Sequence, residues 1–345
     1  MTAARASVLT SLLLAGCGGA QSSLDPAGAG AERIAGLFWG MTVGSVLIWL
    51  AVVGLTVWAV RAAPERHGQR SARLLIVGGG VVFPTVVLAG LLVYGLAMLP
   101  PLLASPPSGS LVVRVEGEQW WWRVRYPHAD HNSGTVELAS HNSGTVELAN
   151  HNSRTVELAN ELRLPVGEPV EVELESRDVV HSFWVPALGG KADVIPGRTT
   201  RLTLQPTRTG TFRGVCAEFC GASHALMAFT VVVLERPDYE RWLALQATPA
   251  RPDHEPRGRE RFLQSGCGAC HTVRGTRADG VVGPDLTHVG GRVSLAAGTL
   301  PNDRDGLRRF VARAGELKPE VHMPAFGMLP DDDLEALVAW LDGLE

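Results

Sequence analysis

The pattern of apolar and polar positions divides the 345-residue chain into three stretches of different character. The first holds two uninterrupted apolar runs: Ile34–Val60 and Leu74–Leu99 carry no charged residue over 27 and 26 positions. As helices, at about 1.5 Å per residue, each runs ~40 Å and exceeds a ~30 Å hydrocarbon core, so a transmembrane hairpin is predicted over 34–103, with spans near 34–60 and 74–99. Gly78-Gly-Gly80 and Pro84 interrupt the second run, which a spanning helix tolerates where neighbours satisfy its backbone. Pro100, Pro101, Pro106 and Pro107 predict a stiff linker. Beyond it Leu111–Tyr126 reads as a strand, its three consecutive tryptophans placing two rings on one face and one on the other. After a Pro- and Arg-rich linker from Thr248 to Gly258 the pattern turns helical. It ends in an amphipathic helix over Asp331–Leu344, with Leu334, Leu337, Val338 and Leu341 on one stripe.

One segment fits none of these periods. Residues 131–160 repeat His-Asn-Ser-Gly/Arg-Thr-Val-Glu-Leu-Ala-Ser/Asn three times, too short a period for a solenoid. It reads as duplicated loop sequence, because closure entropy makes surface insertions cheap; the alternation in Thr-Val-Glu-Leu also permits added edge strands. His131, His141 and His151 are not taken as metal ligands.

Charge sets an orientation. The connection from Arg61 to Arg73 holds Arg61, Arg66, Arg70 and Arg73 against a single Glu65, and the positive-inside rule puts this loop in the cytoplasm. Both termini and everything after Leu103 then lie outside. A net charge of −4 with no basic stripe gives no nucleic-acid partner. Each of the five cysteines falls in a local motif of its own, so no disulfide framework is predicted. Cys17 closes Leu14-Ala-Gly-Cys17 after a short apolar run, like a lipoprotein signal over 1–17 with a lipidated cysteine.

The densest chemistry lies in Val215–Phe229, where Cys216, Cys220, His224 and Met227 follow at spacings of four, four and three. Thiolate, imidazole and thioether together suit copper, and two thiolates are enough to bridge a pair of ions. His181, upstream, offers a second imidazole, and Gly221 lets the loop turn between Cys220 and His224. Zinc has little use for the methionine, and a disulfide leaves His224 and Met227 unexplained. In the tail, Cys267-Gly-Ala-Cys-His271 is the signature of covalent haem c attachment, with His271 placed to bind iron.

At these residues the chain resembles subunit II of the haem-copper oxidases, the subunit of the dinuclear CuA centre, with a cytochrome c fused to its end. The matching segments are Gln119-Trp-Trp-Trp122, Asn160–Gly167, Asp178–Pro186, Lys191–Arg198, Cys216–Met227, Gly283–Leu286 and Met323-Pro324. The resemblance implies a multidomain chain: the helical hairpin, an all-β cupredoxin-like barrel over 108–236, and an all-α cytochrome c domain over 248–345. It implies that Cys216 and Cys220 bridge both coppers, that His181 and Met227 complete one, and that His224 and the Glu218 carbonyl complete the other. The Glu218 side chain would point to a magnesium ion shared with subunit I. Trp120 resembles the ring through which electrons reach CuA. Cys267 and Cys270 would hold haem c, with His271 and Met323 as axial ligands; Met328 is the nearby rival, while His288 and His322 are not ligands. Many family members place a glutamate seven residues before the second helix's proline. Val77 stands there instead, and Glu65 is the only carboxylate in the loop.

The implied activity is that of cytochrome-c oxidase subunit II: electrons from a donor such as a bc complex or cytochrome c pass to haem c, then CuA, then subunit I, which reduces oxygen to water with proton pumping. The implied setting is a bacterial inner membrane, with the copper and haem domains outside among the other oxidase subunits. The linker would tether haem near copper at about millimolar effective concentration. The alternatives are a CuA subunit of a haem-copper nitric-oxide reductase and a membrane-anchored copper-binding protein. A second redox centre argues against the carrier, and the lack of a propeller-sized domain argues against a nitrous-oxide reductase.

Overall fold

The computed structural model describes residues 18–61, 68–127, 155–251 and 254–345. Its first two helices are α1 (Ala29–Arg61) and α2 (Gln69–Leu103), both long and apolar enough to cross a membrane. Their apolar side chains face outward, as in Leu47, Trp49, Leu74 and Val93. The hydroxyls of Thr42, Thr56 and Thr85 donate to the carbonyls one turn back, so none is left unpaired in an apolar setting. The glycine run falls in a wide π-helical stretch, Leu74–Val82, inside α2. Pro100 and Pro101 lie within the last turn of α2 rather than in a linker. Only the final turn bears the loss of the proline donors.

The β domain packs two five-stranded sheets face to face. One has the order β3-β2-β1-β5-β8, built from β1 (Leu111–Glu118), β2 (Trp121–Pro127), β3 (Thr155–Ala159), β5 (Val170–Ser176) and β8 (Thr200–Leu204). The other has the order β4-β10-β9-β6-β7, from β4 (Glu161–Pro165), β6 (His181–Trp184), β7 (Lys191–Val194), β9 (Gly210–Cys216) and β10 (Ala228–Leu234). The expected single strand Leu111–Tyr126 is thus a hairpin that turns at Gln119-Trp120, where the register closes on Glu118 and Trp121. No Gly or Asn marks that turn; tertiary hydrogen bonds described below hold it. Trp120 and Trp122 are buried as the alternation implies, and Arg123 lies 4.5 Å over the Trp121 ring. Trp122, Phe183 and Phe229 form the centre of the core, with the two phenylalanine rings stacked at 4.6 Å. Burying each phenylalanine contributes about 1.5–3 kcal/mol.

Residues ahead of α1 lie along this domain: Ala27 N donates to Ala187 O at 2.6 Å and Arg213 N to Ala20 O at 2.8 Å. A Cβ on Gly28 would meet Leu188 O at 2.3 Å, so only glycine fits. Thr203 Oγ1 donates to Ala104 O at the other end of the helix pair. Both outer ends of the pair therefore abut the β domain.

Helix α3 (Arg236–Gln246) leads out of the barrel, packing Tyr239 and Trp242 against Tyr126. The C-terminal domain holds α4 (Pro256–Gln264), α5 (Arg304–Leu317) and α6 (Asp331–Asp342) around Phe262, Leu337, Val338 and Trp340. The whole predicted stripe of α6 is buried. A Cβ on Gly258 would stand 2.1 Å from Ala336 O, which is how α4 and α6 come so close. The linker is not a loose tether. Arg274 donates to the carbonyls of Gln246 and Ala247, Ala250 N to Arg274 O, and His288 Nε2 lies 3.0 Å from Thr248 O.

Candidate functional site

Strand pairing assembles the ligand loop. β6 begins at His181 and β9 ends at Cys216, and Phe183 pairs with Cys216 across them. The chain then loops through Cys220 and a tight turn, His224–Leu226, before Met227 returns it to β10. Cys216 Sγ and Cys220 Sγ are 3.8 Å apart as free thiols. Around them stand His181 Nδ1 (3.9 Å from Cys216), the Glu218 carbonyl (3.2 Å from Cys216), His224 Nδ1 (3.5 Å from Cys220) and Met227 Sδ (3.7 Å from Cys220). Ligand atoms of His181, Cys216 and Cys220 all lie within 4.8 Å of one another. All six predicted donors gather around the two thiols, a set of soft and borderline atoms suited to copper.

Asp178 orients the first histidine: His181 Nε2 lies 2.8 Å from Asp178 Oδ1, so it carries the proton and Nδ1 is left free on the side of Cys216. The same carboxylate accepts from Gln119 N at 2.6 Å and Val179 N at 2.6 Å. Burial alone would lift the Asp178 pKa, but these hydrogen bonds outweigh it and hold it below the usual carboxylate range. Burial alone would depress His181; the bonds to Cys216 and Asp178 raise it instead. The thiols split. Hydrogen bonding from Cys220 holds Cys216 well below an ordinary thiol, and Cys220 is pushed well above it by the same neighbour. For both to be thiolates this close, a cation would have to lie between them, which a bound metal ion would supply. Glycine makes room on both sides. A Cβ on Gly117 would sit 2.8 Å from His181 Cδ2, and Gly221, at φ +116°, lies against Gln119 and Trp120.

The haem motif lines a cavity of about 340 Å³. Cys267, Cys270, His271 and Met323 all face it, whereas Met328 is 77% exposed and outside it. His271 Nδ1 donates to Pro284 O at 2.8 Å, leaving Nε2 free, and burial holds the ring's pKa below the usual imidazole value. A Cβ on Gly283 would stand 2.6 Å from His271 Cε1. The cavity wall also includes Arg292, whose buried Nε has no partner among the described residues. Paired thiols, an oriented imidazole, a thioether and an orphaned cationic donor fit a haem with acidic side chains.

The far wall of that cavity is the β domain itself: Glu118, Gln119, Trp120, Trp121 and Asp178 line it. Gln119 Nε2 and Trp120 Nε1 both donate to the Cys220 carbonyl, at 2.8 and 3.0 Å. Ser223 Oγ donates to Pro319 O at 2.6 Å, Val293 N to Glu161 Oε2 at 2.8 Å, and Arg123 to the carbonyls of Val281 and Val282. Lys318 Nζ donates to Trp120 O.

Sequence reasoning had not singled out Ser223, Lys318 or the orienting role of Asp178. Only Asp178 left a signal, a carboxylate three residues before a candidate ligand. His288 is engaged with the linker and His322 is exposed. Val77 lies in the π-helical stretch of α2. Cys17, Glu65, His131, His141, His151 and most of the repeat fall outside the described residues; its last copy ends in β3.

Comparison with known proteins finds the same two domains. Residues 111–234 match the family "Cytochrome C oxidase subunit II, periplasmic domain", and residues 256–345 match "Cytochrome c". The chain is 31% identical to cytochrome c oxidase subunit 2 of Alkalihalophilus pseudofirmus, over 97% of this chain and 94% of the relative. It is 28% identical to that of Bacillus subtilis, over 98% and 96%. A crystal structure of the periplasmic domain of subunit II of cytochrome oxidase from Bradyrhizobium japonicum is 26% identical over 41% of this chain and 96% of that one, at a TM-score of 0.33. The fold and site define a haem-copper oxidase subunit with a cytochrome c domain of its own. The chain belongs to the cytochrome c oxidase subunit 2 family. It serves the electron-input side of the oxidase, in association with other oxidase subunits.

Proposed function

We propose that the chain receives electrons at a haem c held by its C-terminal domain and passes them to a dinuclear copper centre in its β domain, for delivery to subunit I, where oxygen is reduced to water with proton pumping. One observation carries this reading: Gln119 and Trp120 form a wall of the haem-motif cavity, and both donate to the carbonyl of Cys220. A single turn thus touches the cavity on one side and the thiol loop on the other.

When bound, the haem and the copper ions would supply one-electron redox chemistry. The residues do the rest. Cys216 and Cys220, with His181, Met227, His224 and the Glu218 carbonyl, would hold the copper ions. Asp178 fixes the His181 tautomer. Cys267 and Cys270 would hold the haem covalently, and His271, oriented by Pro284, and Met323 would hold its iron; the exposure of Met328 supports Met323. The buried Trp120 indole is an aromatic bridge between the cavity and the Cys220 carbonyl. Glu218 and Phe219 stand exposed at the tip of the copper loop, a position suited to subunit I and to a shared magnesium ion. The helix pair anchors the chain in a bacterial inner membrane with its arginine-rich loop in the cytoplasm. Both outer ends of the pair abut the β domain, which supports one outer side for the termini and both redox domains.

The test is the purified full-length chain on its own, free of subunit I. Two coppers per haem c and a mixed-valence EPR signal are expected, with Cys220→Ser giving a mononuclear or empty site. One copper per haem with a single-copper hyperfine pattern would refute the assignment. A haem c that is flash-reduced yet never passes its electron to copper would refute the direction of transfer.

A further inference from the structure

The residue that neither centre accounts for is Lys318. It follows α5, is 3% exposed, and lines the haem cavity. Its Nζ donates to the Trp120 carbonyl. An ammonium has three donors, and no second acceptor is recorded among the described residues. A buried charge without a counter-charge is costly. The acids that share the cavity wall are committed elsewhere, Glu118 to Arg123 at 2.8 Å and Asp178 to His181 at 2.8 Å. Burial accordingly pushes Lys318 down to about 7, opposed only by the field of the Cys220 thiol. The cation therefore lies between the cavity and the copper loop, with spare donors and no partner acid.

We propose that Lys318 is a binding residue for a carboxylate of the haem, and that it pins that edge of the haem to the Trp120 carbonyl. This rests on the haem and copper reading above. A haem brings two propionate groups into the cavity, the acid class that a buried ammonium lacks here. The bridge runs from haem carboxylate to Lys318 Nζ to Trp120 O, and the Trp120 indole continues it to Cys220 O. Pro319, the next residue, accepts from Ser223, which precedes His224. Two adjacent residues thus join the segment that leads to Met323 to both sides of the copper loop. A positive charge here favours the reduced form of each centre, and the anchored edge fixes their separation. Lys318 is a positioning residue for transfer; it carries no electron itself.

The experiment compares wild type, Lys318→Met, Lys318→Gln and Lys318→Arg in the purified full-length oxidase. Haem c loading is checked by optical spectrum and copper loading by EPR. Three readouts follow: the haem c midpoint potential, the propionate bending modes in resonance Raman, and the haem-to-copper rate after flash reduction. Lys318→Met is expected to shift the potential down, move a propionate mode and slow transfer about tenfold, the worth of one charge-assisted hydrogen bond. Lys318→Gln, which keeps a donor without charge, reads the same potential shift if the methionine variant fails to assemble. Lys318→Arg should restore the potential. With both centres loaded, a potential and propionate modes matching wild type in the Met and Gln variants would overturn the proposal. A wild-type chain without haem or copper would overturn the functional reading itself.

Discussion

Replacing Asp178 by Asn tests whether the copper site depends on a residue that ligates nothing. The carboxylate holds three donors at once: His181 Nε2 at 2.8 Å, Gln119 N at 2.6 Å and Val179 N at 2.6 Å. The amide keeps the shape but loses the charge and one acceptor oxygen. His181 is fully buried, so its Nε2 proton cannot turn to water instead. Weakening a charge-assisted bond to a buried donor costs about 1–3 kcal/mol, which by ~1.4 kcal/mol per tenfold is roughly ten- to a hundredfold in affinity. Loss of an outer partner of a ligating histidine typically has that size, ~10–100-fold. The assay is chelator competition for copper at fixed pH on the full-length chain, with EPR of the loaded form. Asp178→Asn should bind copper at least about tenfold more weakly, with haem c content unchanged. An affinity within about twofold of wild type, with an unaltered EPR signal, would show that the imidazole is oriented by its strand alone and refute the reasoning.

Gly117→Ala puts a Cβ 2.8 Å from His181 Cδ2, in a buried strand with no slack, and should displace the ring and cut copper content while circular dichroism still reports the β domain. Gly283→Ala puts a Cβ 2.6 Å from His271 Cε1 and should raise the high-spin fraction of haem c in the optical spectrum, since the ring can no longer hold its place on Pro284. Asp333 joins α4 to α6 through Arg257 at 2.7 Å and Arg261 at 3.0 Å, and those partners hold its carboxyl below the usual range. A depressed carboxylate contributes above its unfolded value near pH ~4 and loses that contribution as pH falls through the lower folded value. The thermal midpoint of the haem domain should therefore be insensitive to this pair from pH 7 to about 4 and drop below that, and Asp333→Asn should flatten the acid limb.

What the sequence made legible follows from which interactions are local. The copper loop is a contiguous stretch whose ligands recur every three or four residues, so donor chemistry alone singled it out, and strand pairing had only to add His181. The haem motif is likewise five consecutive residues. The hairpin at Gln119-Trp120 was not legible, because its turn is held by Asp178 and the Cys220 carbonyl, about 60 and 100 positions away in the chain. The same holds for Pro100 and Pro101: proline reads as a helix end, yet the last turn of a long apolar helix absorbs two. Lys318 is the extreme case. Nothing in Leu317-Lys318-Pro319 distinguishes a surface lysine from a buried one, since its meaning comes from a carbonyl 198 positions away.

These long-range contacts change what the fusion of the two domains accomplishes. A flexible linker between Thr248 and Gly258 would keep donor near acceptor only as a concentration, about millimolar, and each transfer would await an encounter. Here the linker is fastened by Arg274 and His288, and the domain faces are joined by Arg123, Glu161, Ser223 and Lys318. Three of these four are charged and nearly inaccessible to solvent, Arg123 at 1%, Glu161 at 2% and Lys318 at 3%. Separating the domains would break these hydrogen bonds across the interface, each worth about 0.5–1.5 kcal/mol net and about 1.5–3 kcal/mol where one partner is charged. The docked arrangement is therefore the resting one. The distance from the cavity to the thiols is set by the fold, and on the proposed reading the step left to diffusion would be the arrival of a donor at the haem domain.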